Sequence, residues 1–481
     1  MRNHKQFLYE AVADEITDLI NQGTYRPGER IPSVRQLSQQ RKISVTTALG
    51  AYLLLEDRGL IEARPQSGYF VKSRLPSVFP EPEVSTPSPD PMQVSMHELV
   101  MMVLRDTMNP KLVQLGAAVP HPDLVATDKL NRIMAAEARA LGNSTGQYDI
   151  PPGYEPLRVQ IAQRAVAAGC HLAPGDIVTT SGCLEAFVLC LRAICRAGDT
   201  VAVESPTYFG VLQMLESLDL RALEIPTHPR DGISLSALRF ALDHNPVKAC
   251  LLMPSFQNPL GSLMPAEHKK ELVQILAAYD IPLIEGDLTR ELYFSGDRPT
   301  PAKAYDRKGL VMLCSSFSKV LSPGYRVGWV APGKIKSTVE WLKYTNTIAT
   351  STLPQITIAK YLEGGGYDHH LRNIRRVYAR NIAQMSQAVT QYFPSDTRVT
   401  RPNGGFVLWV QLPDTVDSLA LYRQALKAGI TLAPGHIFSA TDQYRNFIRL
   451  NAAFWSVDAN RAIQRLGEMI DEMKSEFVDC A

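Results

Sequence analysis

Residues 315–329 read SSFSKVLSPGYRVGW, and this stretch decides how the rest of the chain is interpreted. It follows an apolar run at 310–313, the length of a buried strand. Lys319 then sits among Ser315, Ser316 and Ser318, with Arg326 seven residues on. A lone lysine in a loop is ordinarily a solvated charge. Burial and a neighbouring cation lower an ammonium pKa, which an imine-forming amine requires, and the hydroxyls and guanidinium suit an anion. The constellation therefore points to amine chemistry beside a bound anionic group.

Working outward, strand-like runs at 177–180, 200–204, 222–225, 249–253, 281–285, 310–313 and 327–330 alternate with amphipathic segments around 184–196, 207–219, 234–244 and 265–279. This alternation predicts an α/β body with a mostly parallel sheet, whose ligands sit in loops at the carboxyl ends of strands. Three further stretches fall in or near such loops. Ser181-Gly182-Cys183 is a small turn opening a helix, suited to a phosphate, although strand–glycine–helix turns are common. Gln257-Asn258-Pro259-Leu260-Gly261 offers an amide from a rigid turn, or is an ordinary loop. Phe447-Ile448-Arg449-Leu450-Asn451 embeds an arginine among apolar residues, so Arg449 needs an anionic partner, either a substrate carboxylate or an internal aspartate.

Upstream, residues 74–92 carry Pro76, Pro80, Pro82, Pro87, Pro89 and Pro91 and predict an extended, solvated linker. The division expected is a head over 1–73, a linker over 74–105 and a body over 106–481. In the head, Leu8, Val12, Ile16 and Leu19 recur at helical spacing. Ser33 with Gln36 forms a capping-box pattern for a second helix. Ser44 caps a third, with Leu49, Tyr52, Leu53 and Leu55 as its apolar positions, and two short strands follow at 60–64 and 68–71. Three helices and a hairpin are the order of a winged helix-turn-helix. The face meeting DNA would carry Arg35, Ser44, Thr46, Thr47, Arg64 and Gln66, groups suited to phosphates and base edges. The same pattern also suits a helical protein-interaction module.

The totals constrain partners. Formal net charge is +2 over 481 residues, which excludes a uniformly basic nucleic-acid coat. Residues 1–74 hold eleven Lys/Arg against eight Asp/Glu, +3, leaving −1 for the remainder. The seven cysteines are scattered without a C-x-x-C pair, so neither a metal cage nor a disulfide framework is expected. No apolar stretch approaches 18 residues and no signal-peptide core opens the chain, making a cytoplasmic location the expectation.

The run from Pro27 to Val71, with its Pro-Gly turn, Pro-Ser-x-Arg entry, Leu-Glu-x-x-Gly-Leu helix exit and Gly-aromatic-Val wing, resembles the head of GntR-type regulators. Val45 stands where many relatives place arginine. The S-x-S-K-x-x-x-P-G-x-R-x-G-W signature and its companion stretches resemble the fold-type I, class I aminotransferases, and the fusion resembles the MocR subgroup of regulators. The resemblance implies a large mostly parallel-sheet domain, a smaller α+β domain, pyridoxal 5'-phosphate as cofactor, double-stranded DNA as partner and a homodimer. It implies that Lys319 links covalently to the cofactor. Ser181, Gly182, Cys183, Ser316 and Arg326 would hold its phosphate, Tyr208 would stack on its ring, and Asn258 would bond its 3-hydroxyl. Tyr148, in the pattern Tyr148-x-x-x-x-Gly153-x-x-x-Leu157-Arg158, would reach the partner subunit's cofactor. Arg449 would clamp an amino-acid carboxylate.

One departure bears on chemistry. Relatives usually read Glu-Asp-Asp-x-Tyr where this chain has Glu285-Gly286-Asp287-Leu288-Thr289. The aspartate that keeps the cofactor's ring nitrogen protonated aligns with Gly286, and the tyrosine with Thr289. Asp287 should point to the opposite face, unless a bulge re-aims it. The expectation is a regulator that senses the cofactor or its adduct with an amine or amino acid, with weak or absent transamination. A working aminotransferase and a cofactor-free dimerisation scaffold are the alternatives.

Overall fold

Strand Val311–Ser316 lies inside a sheet whose order is Met92–Gln93, Arg221–His228, Thr200–Ser205, Val247–Leu252, Leu283–Gly286, Val311–Ser316, Gly328–Ala331 and Val178–Thr180. The computed structural model describes residues 8–21, 24–25, 28–57, 60–64, 67–71, 79–95, 97–106, 109–142, 147–441 and 443–480. The pairs from Arg221–His228 through Val311–Ser316 are parallel, and Gly328–Ala331 runs antiparallel to both its neighbours. The central strands are buried along their length, as expected for a sheet covered on both faces. Helices Cys183–Ile194, Phe209–Ser217, Leu235–His244 and Ala266–Ala278 occupy the predicted crossovers. A smaller antiparallel sheet, Arg398–Val399, Val407–Gln411, Phe447–Asn451 and Ala433–Pro434, packs its own core around Trp409.

The head has helices Leu8–Asn21, Val34–Arg41 and Val45–Asp57 and a hairpin Ile61–Arg64/Gly68–Val71. Gln36 N donates to Ser33 Oγ at 3.3 Å and Ser33 N to Gln36 Oε1 at 2.9 Å, so the capping box is present. Thr47 N donates to Ser44 Oγ at 3.0 Å. The Tyr52 hydroxyl donates to Pro32 O at 2.6 Å, tying the third helix to the entry of the second. The buried stripe of the third helix is Ala48, Ala51, Tyr52 and Leu55, whereas Leu49 and Leu53 are 39% and 54% exposed. The predicted inward leucines thus lie beside the true stripe, because a period of 3.6 set by Tyr52 and Leu55 selects 48 and 51. Leu8, at the helix start, is also exposed.

The proline-rich segment differs from a solvated linker. Phe79 is buried in the small-domain core, and Arg401 Nη2 donates to its carbonyl at 2.8 Å. Val399 N donates to Pro80 O at 3.0 Å, Glu83 pairs with Arg398 at 2.8 Å, and Met92–Gln93 adds an edge strand to Arg221–Ala222. Helix His97–Asp106 buries Val100 and Val103 in the same core as Phe79. Prolines forbid a continuous ladder but leave carbonyls to accept bonds, so the segment lies as a strap on the body rather than free of it. Residues 72–78, with Pro76, lie outside the described residues.

Candidate functional site

The anion end is built where strand Val178–Thr180 turns into helix Cys183–Ile194. Gly182 has φ +99°, and a Cβ there would lie 2.5 Å from Arg326 Nη2, so only glycine lets the loop approach the guanidinium. Arg326 Nη2 donates to Ser181 O at 2.9 Å, and Nη1 lies 3.4 Å from Ser318 Oγ and from Pro323 O. Ser316 Oγ is buried beside this loop with no hydrogen-bond partner. The amide of Ser181 is committed to Glu185 Oε2, and Glu185 is itself held by Lys343 Nζ at 2.9 Å and Thr347 Oγ1 at 2.9 Å. The loop therefore offers the Gly182 and Cys183 amides, an idle hydroxyl and a guanidinium at a helix N-terminus, a donor set for a phosphate.

Lys319 follows at the end of this wall. Its Nζ donates to Ala118 O at 2.6 Å. Burial, then Arg449 and Arg326, push its pKa down to about 8. At pH 7 that leaves roughly a tenth of the amine unprotonated, against well under a thousandth for an ordinary lysine.

Arg449 is 1% exposed on strand Phe447–Asn451. Its Nη1 donates to Asn258 Oδ1 at 3.0 Å and its Nη2 to the Gly116 carbonyl, while Nε has no partner. Its guanidinium sits 5.1 Å from the Phe438 ring centroid and 5.9 Å from that of Phe209. Burial pushes its pKa down to about 10, opposed by Tyr208. Among the described residues no carboxylate pairs with it, so the internal-aspartate alternative is not what the structure contains. Because Asn258 accepts from Arg449, its amide nitrogen is left to donate. The Tyr208 ring lies so close over Gly210 that a Cβ there would meet it at 2.4 Å, which fixes the ring at the head of helix Phe209–Ser217.

The opposite end of the site is apolar. Gly286 closes strand Leu283–Gly286, and a Cβ there would lie 2.9 Å from both Phe187 Cζ and Met253 Cγ. Phe187 is one turn beyond Cys183 on the same helix, and this i, i+4 spacing is the sequence signal that would have found it. Glu204, pushed up to about 8 by burial, accepts from Met253 N at 3.0 Å and braces that residue. Pairing stays regular through Gly286↔Cys314, and Asp287 N donates to Cys314 O at 2.8 Å, so no bulge re-aims Asp287. Its carboxylate turns to the other face, where Arg290 Nε donates to Oδ2 at 2.8 Å. Thr289 Oγ1 donates to the Ser255 and Phe256 carbonyls, both at 3.1 Å.

The remaining predicted residues lie apart. Tyr148 is 76% exposed. In the head, Arg35, Ser44 and Thr46 are exposed, Ser44 with its hydroxyl spent on the helix cap. Arg64 is paired with Glu62 at 2.6 Å and lies 4.3 Å from the Phe70 ring centroid, so it is held rather than extended. Gln66 lies outside the described residues.

Comparison with known proteins places the two parts of the chain in two families. Residues 111–466 match the family model "Aminotransferase class I and II", and residues 8–71 match "Bacterial regulatory proteins, gntR family". The chain is 38% identical over 465 residues to an uncharacterized HTH-type transcriptional regulator of Escherichia coli, YdcR, covering 96% of this chain and 99% of that one. It is 30% identical over 376 residues to the 2-aminoadipate transaminase of Thermus thermophilus, covering 76% and 92%. Among solved structures, the kynurenine aminotransferase of Pyrococcus horikoshii superposes with a TM-score of 0.72 at 30% identity, covering 79% of this chain and 95% of that one. The α-aminoadipate aminotransferase of Thermus thermophilus, complexed with N-(5'-phosphopyridoxyl)-L-leucine, gives 0.73 at 28%, covering 78% and 95%.

Proposed function

The chain belongs to the aminotransferase class I and II family, with a head that belongs to the gntR regulators, and from that premise we propose that it is a regulator whose body senses an amine or amino acid through pyridoxal phosphate held at Lys319. The domain composition gives a transcription regulator carrying an aminotransferase-like domain, which implies pyridoxal phosphate as cofactor and DNA as partner. The sensing role is supported by one observation, the pairing of an intact grip with an altered ring environment. Where the family has a carboxylate, this chain has Gly286 backed by Phe187 and Met253.

The bound cofactor supplies an aldehyde that condenses with amines and a ring that withdraws electrons. Ser316 Oγ, the Gly182 and Cys183 amides and Arg326 would hold the phosphate. Lys319 presents an amine that is partly unprotonated near neutrality. Asn258 would donate to the ring's 3-hydroxyl and Tyr208 would cover the ring face. Arg449, with no internal carboxylate, orients an amino acid by its own carboxylate. The side chains pressed on Gly286, Phe187 and Met253, offer no carboxylate to hold a proton on the ring nitrogen, so the ring's electron-withdrawing power would be weakened while its aldehyde would remain available to amines. Tyr148, exposed on one protomer, completes the site of a second copy, so the regulator is a homodimer. Exposed Arg35 and Thr46 lie at the entry of the DNA-facing helices, and a shift in the body alters how two heads address an operator.

The test is borohydride reduction of the purified protein after addition of pyridoxal phosphate, followed by peptide mass spectrometry. The expected result is a cofactor adduct on Lys319. Its absence would overturn the reading and leave a scaffold. Steady-state transamination with a panel of amino donors at turnover near ~1 s⁻¹ or above, an ordinary enzyme rate, would replace the sensor by a catalyst. A salt-sensitive gel shift on the protein's own upstream DNA, altered by amines, is expected for the sensor.

A further inference from the structure

Helix Val45–Asp57 of the head presents an apolar stripe to solvent. Val45, Leu49 and Leu53 follow one another at i, i+4 and i+8 and are 53%, 39% and 54% exposed. At a period of 3.6 they share one face, next to the buried stripe described above. The outward face of a helix on a water-soluble domain ordinarily carries charge, and these three positions carry none. Thr46 is exposed beside them. The other two hydroxyls of the first turn are engaged with each other, with Ser44 Oγ and Thr47 Oγ1 2.7 Å apart and Thr47 N donating to Ser44 Oγ. Glu56, three residues past Leu53, is turned to the hairpin, where it accepts from Ala63 N at 3.0 Å.

Cations accompany the stripe without lying on it. Lys42 stands in the turn three residues before Val45, and Arg35 on the first turn of helix Val34–Arg41, whose entry the Tyr52–Pro32 bond ties to the third helix. Both are exposed and make no ion pair among the described residues. With the surplus of three positive charges over residues 1–74, they suit a polyanion rather than a second apolar protein face. Among base edges in the major groove, those of guanine, adenine and cytosine present hydrogen-bonding groups, and thymine alone adds an apolar one, its 5-methyl. An aliphatic side chain laid over any other edge strands donors and acceptors, which costs free energy. Residues near the N-terminus of the groove-entering helix are the ones that reach base edges. That singles out Val45 and Leu49, roughly 6 Å apart along the axis at ~1.5 Å per residue.

Resting on the DNA-binding reading of the head, we propose that Val45 and Leu49 read the 5-methyl groups of thymines, so that the operator carries T·A pairs beneath this helix. Arg35 and Lys42 supply attraction to phosphates that is indifferent to sequence. The helix has no arginine with which to select a guanine.

Duplexes selected from random-sequence DNA by the full-length protein test this. T·A pairs are expected at fixed positions of the selected site. The selected duplex remade with deoxyuridine for thymidine, which removes only the methyl groups, is expected to bind about fourfold more weakly for one buried methyl and about fifteenfold for two. Val45→Ser and Leu49→Ser, both at exposed positions, are each expected to lower the thymidine-to-deoxyuridine affinity ratio by one such factor while leaving the salt dependence of binding unchanged. A ratio of one for the unaltered protein, with salt-sensitive binding intact, would overturn the proposal and spare the DNA-binding reading. A ratio that neither variant moves would overturn it as well, and a changed oligomeric state in those variants would then assign the stripe to a protein interface. If no duplex is enriched, the DNA-binding reading and the proposal fall together.

Discussion

The two ends of the proposed cofactor site are made of opposite materials. At the phosphate end stand an idle Ser316 hydroxyl, a glycine cradle against Arg326 and a helix N-terminus buttressed by the Glu185–Lys343 pair. At the ring-nitrogen end stand a phenyl ring and a thioether pressed against a residue without a side chain. Both ends sit on the same helix, since Cys183 and Phe187 are one turn apart. Holding a cofactor and tuning its electrons are thus separable tasks, assigned to neighbouring turns, and one can be altered while the other persists.

The contrast can be broken most completely at the amine between the two ends. Lys319→Ala is expected to leave no cofactor on the protein after desalting, read as loss of the visible absorbance band, while the phosphate cradle remains folded. Arg449→Ala is the next largest change. Removing a buried guanidinium strands Asn258 Oδ1 and the Gly116 carbonyl and deletes the carboxylate clamp, so amino acids should bind ~100-fold more weakly, about 3 kcal/mol. Titration of the cofactor band with an amino acid, and with the matching amine as control, checks this; the amine should be little affected.

At the apolar end, Gly286→Asp alone should lower stability by about 1–3 kcal/mol through overpacking against Phe187 and Met253. Adding Phe187→Ala should relieve the clash at the expense of a cavity and raise transamination above the unaltered chain. Melting curves and steady-state rates on the two variants measure both effects. At the polar end, Ser316→Ala removes one donor to a dianion and should weaken cofactor binding ~10-fold, about 1–1.5 kcal/mol, seen by titration of the apoprotein. The mildest perturbation is pH. With the ammonium of Lys319 pushed down to about 8, the free amine grows as pH rises, so the rate of cofactor attachment should climb from pH 6 and level off above about 8. Stopped-flow absorbance reads this, and a flat profile would contradict the depressed pKa.

Most of the polar end was legible in the chain, because motifs such as SSFSK and SGC place hydroxyls, a lysine and glycine at fixed offsets along a strand-to-helix turn. The sheet was legible for the same reason: buried parallel strands read as apolar runs between amphipathic helices. The apolar end was only half legible. Gly286 announces a missing carboxylate, but not that Phe187 and Met253, 99 and 33 residues away in sequence, close the gap. Arg449 could be read as needing an anion, but only tertiary packing decides that Asn258 and Gly116, and no aspartate, sit beside it. The strap is not legible in the sequence, because proline content reports what a backbone cannot donate. It is silent on what its carbonyls and one phenylalanine find to rest on.

That strap ties both sheets of the body to one short piece of chain. It touches Arg398 and Val399 of the small sheet and Ala222 of the large one, so any slide of one sheet past the other strains it at both ends. Val71 closes the hairpin and Phe79 sits in the small-domain core eight residues on, and a chain gains at most ~3.3–3.6 Å per residue, so covalent geometry alone keeps the hairpin's end within about 29 Å of that core.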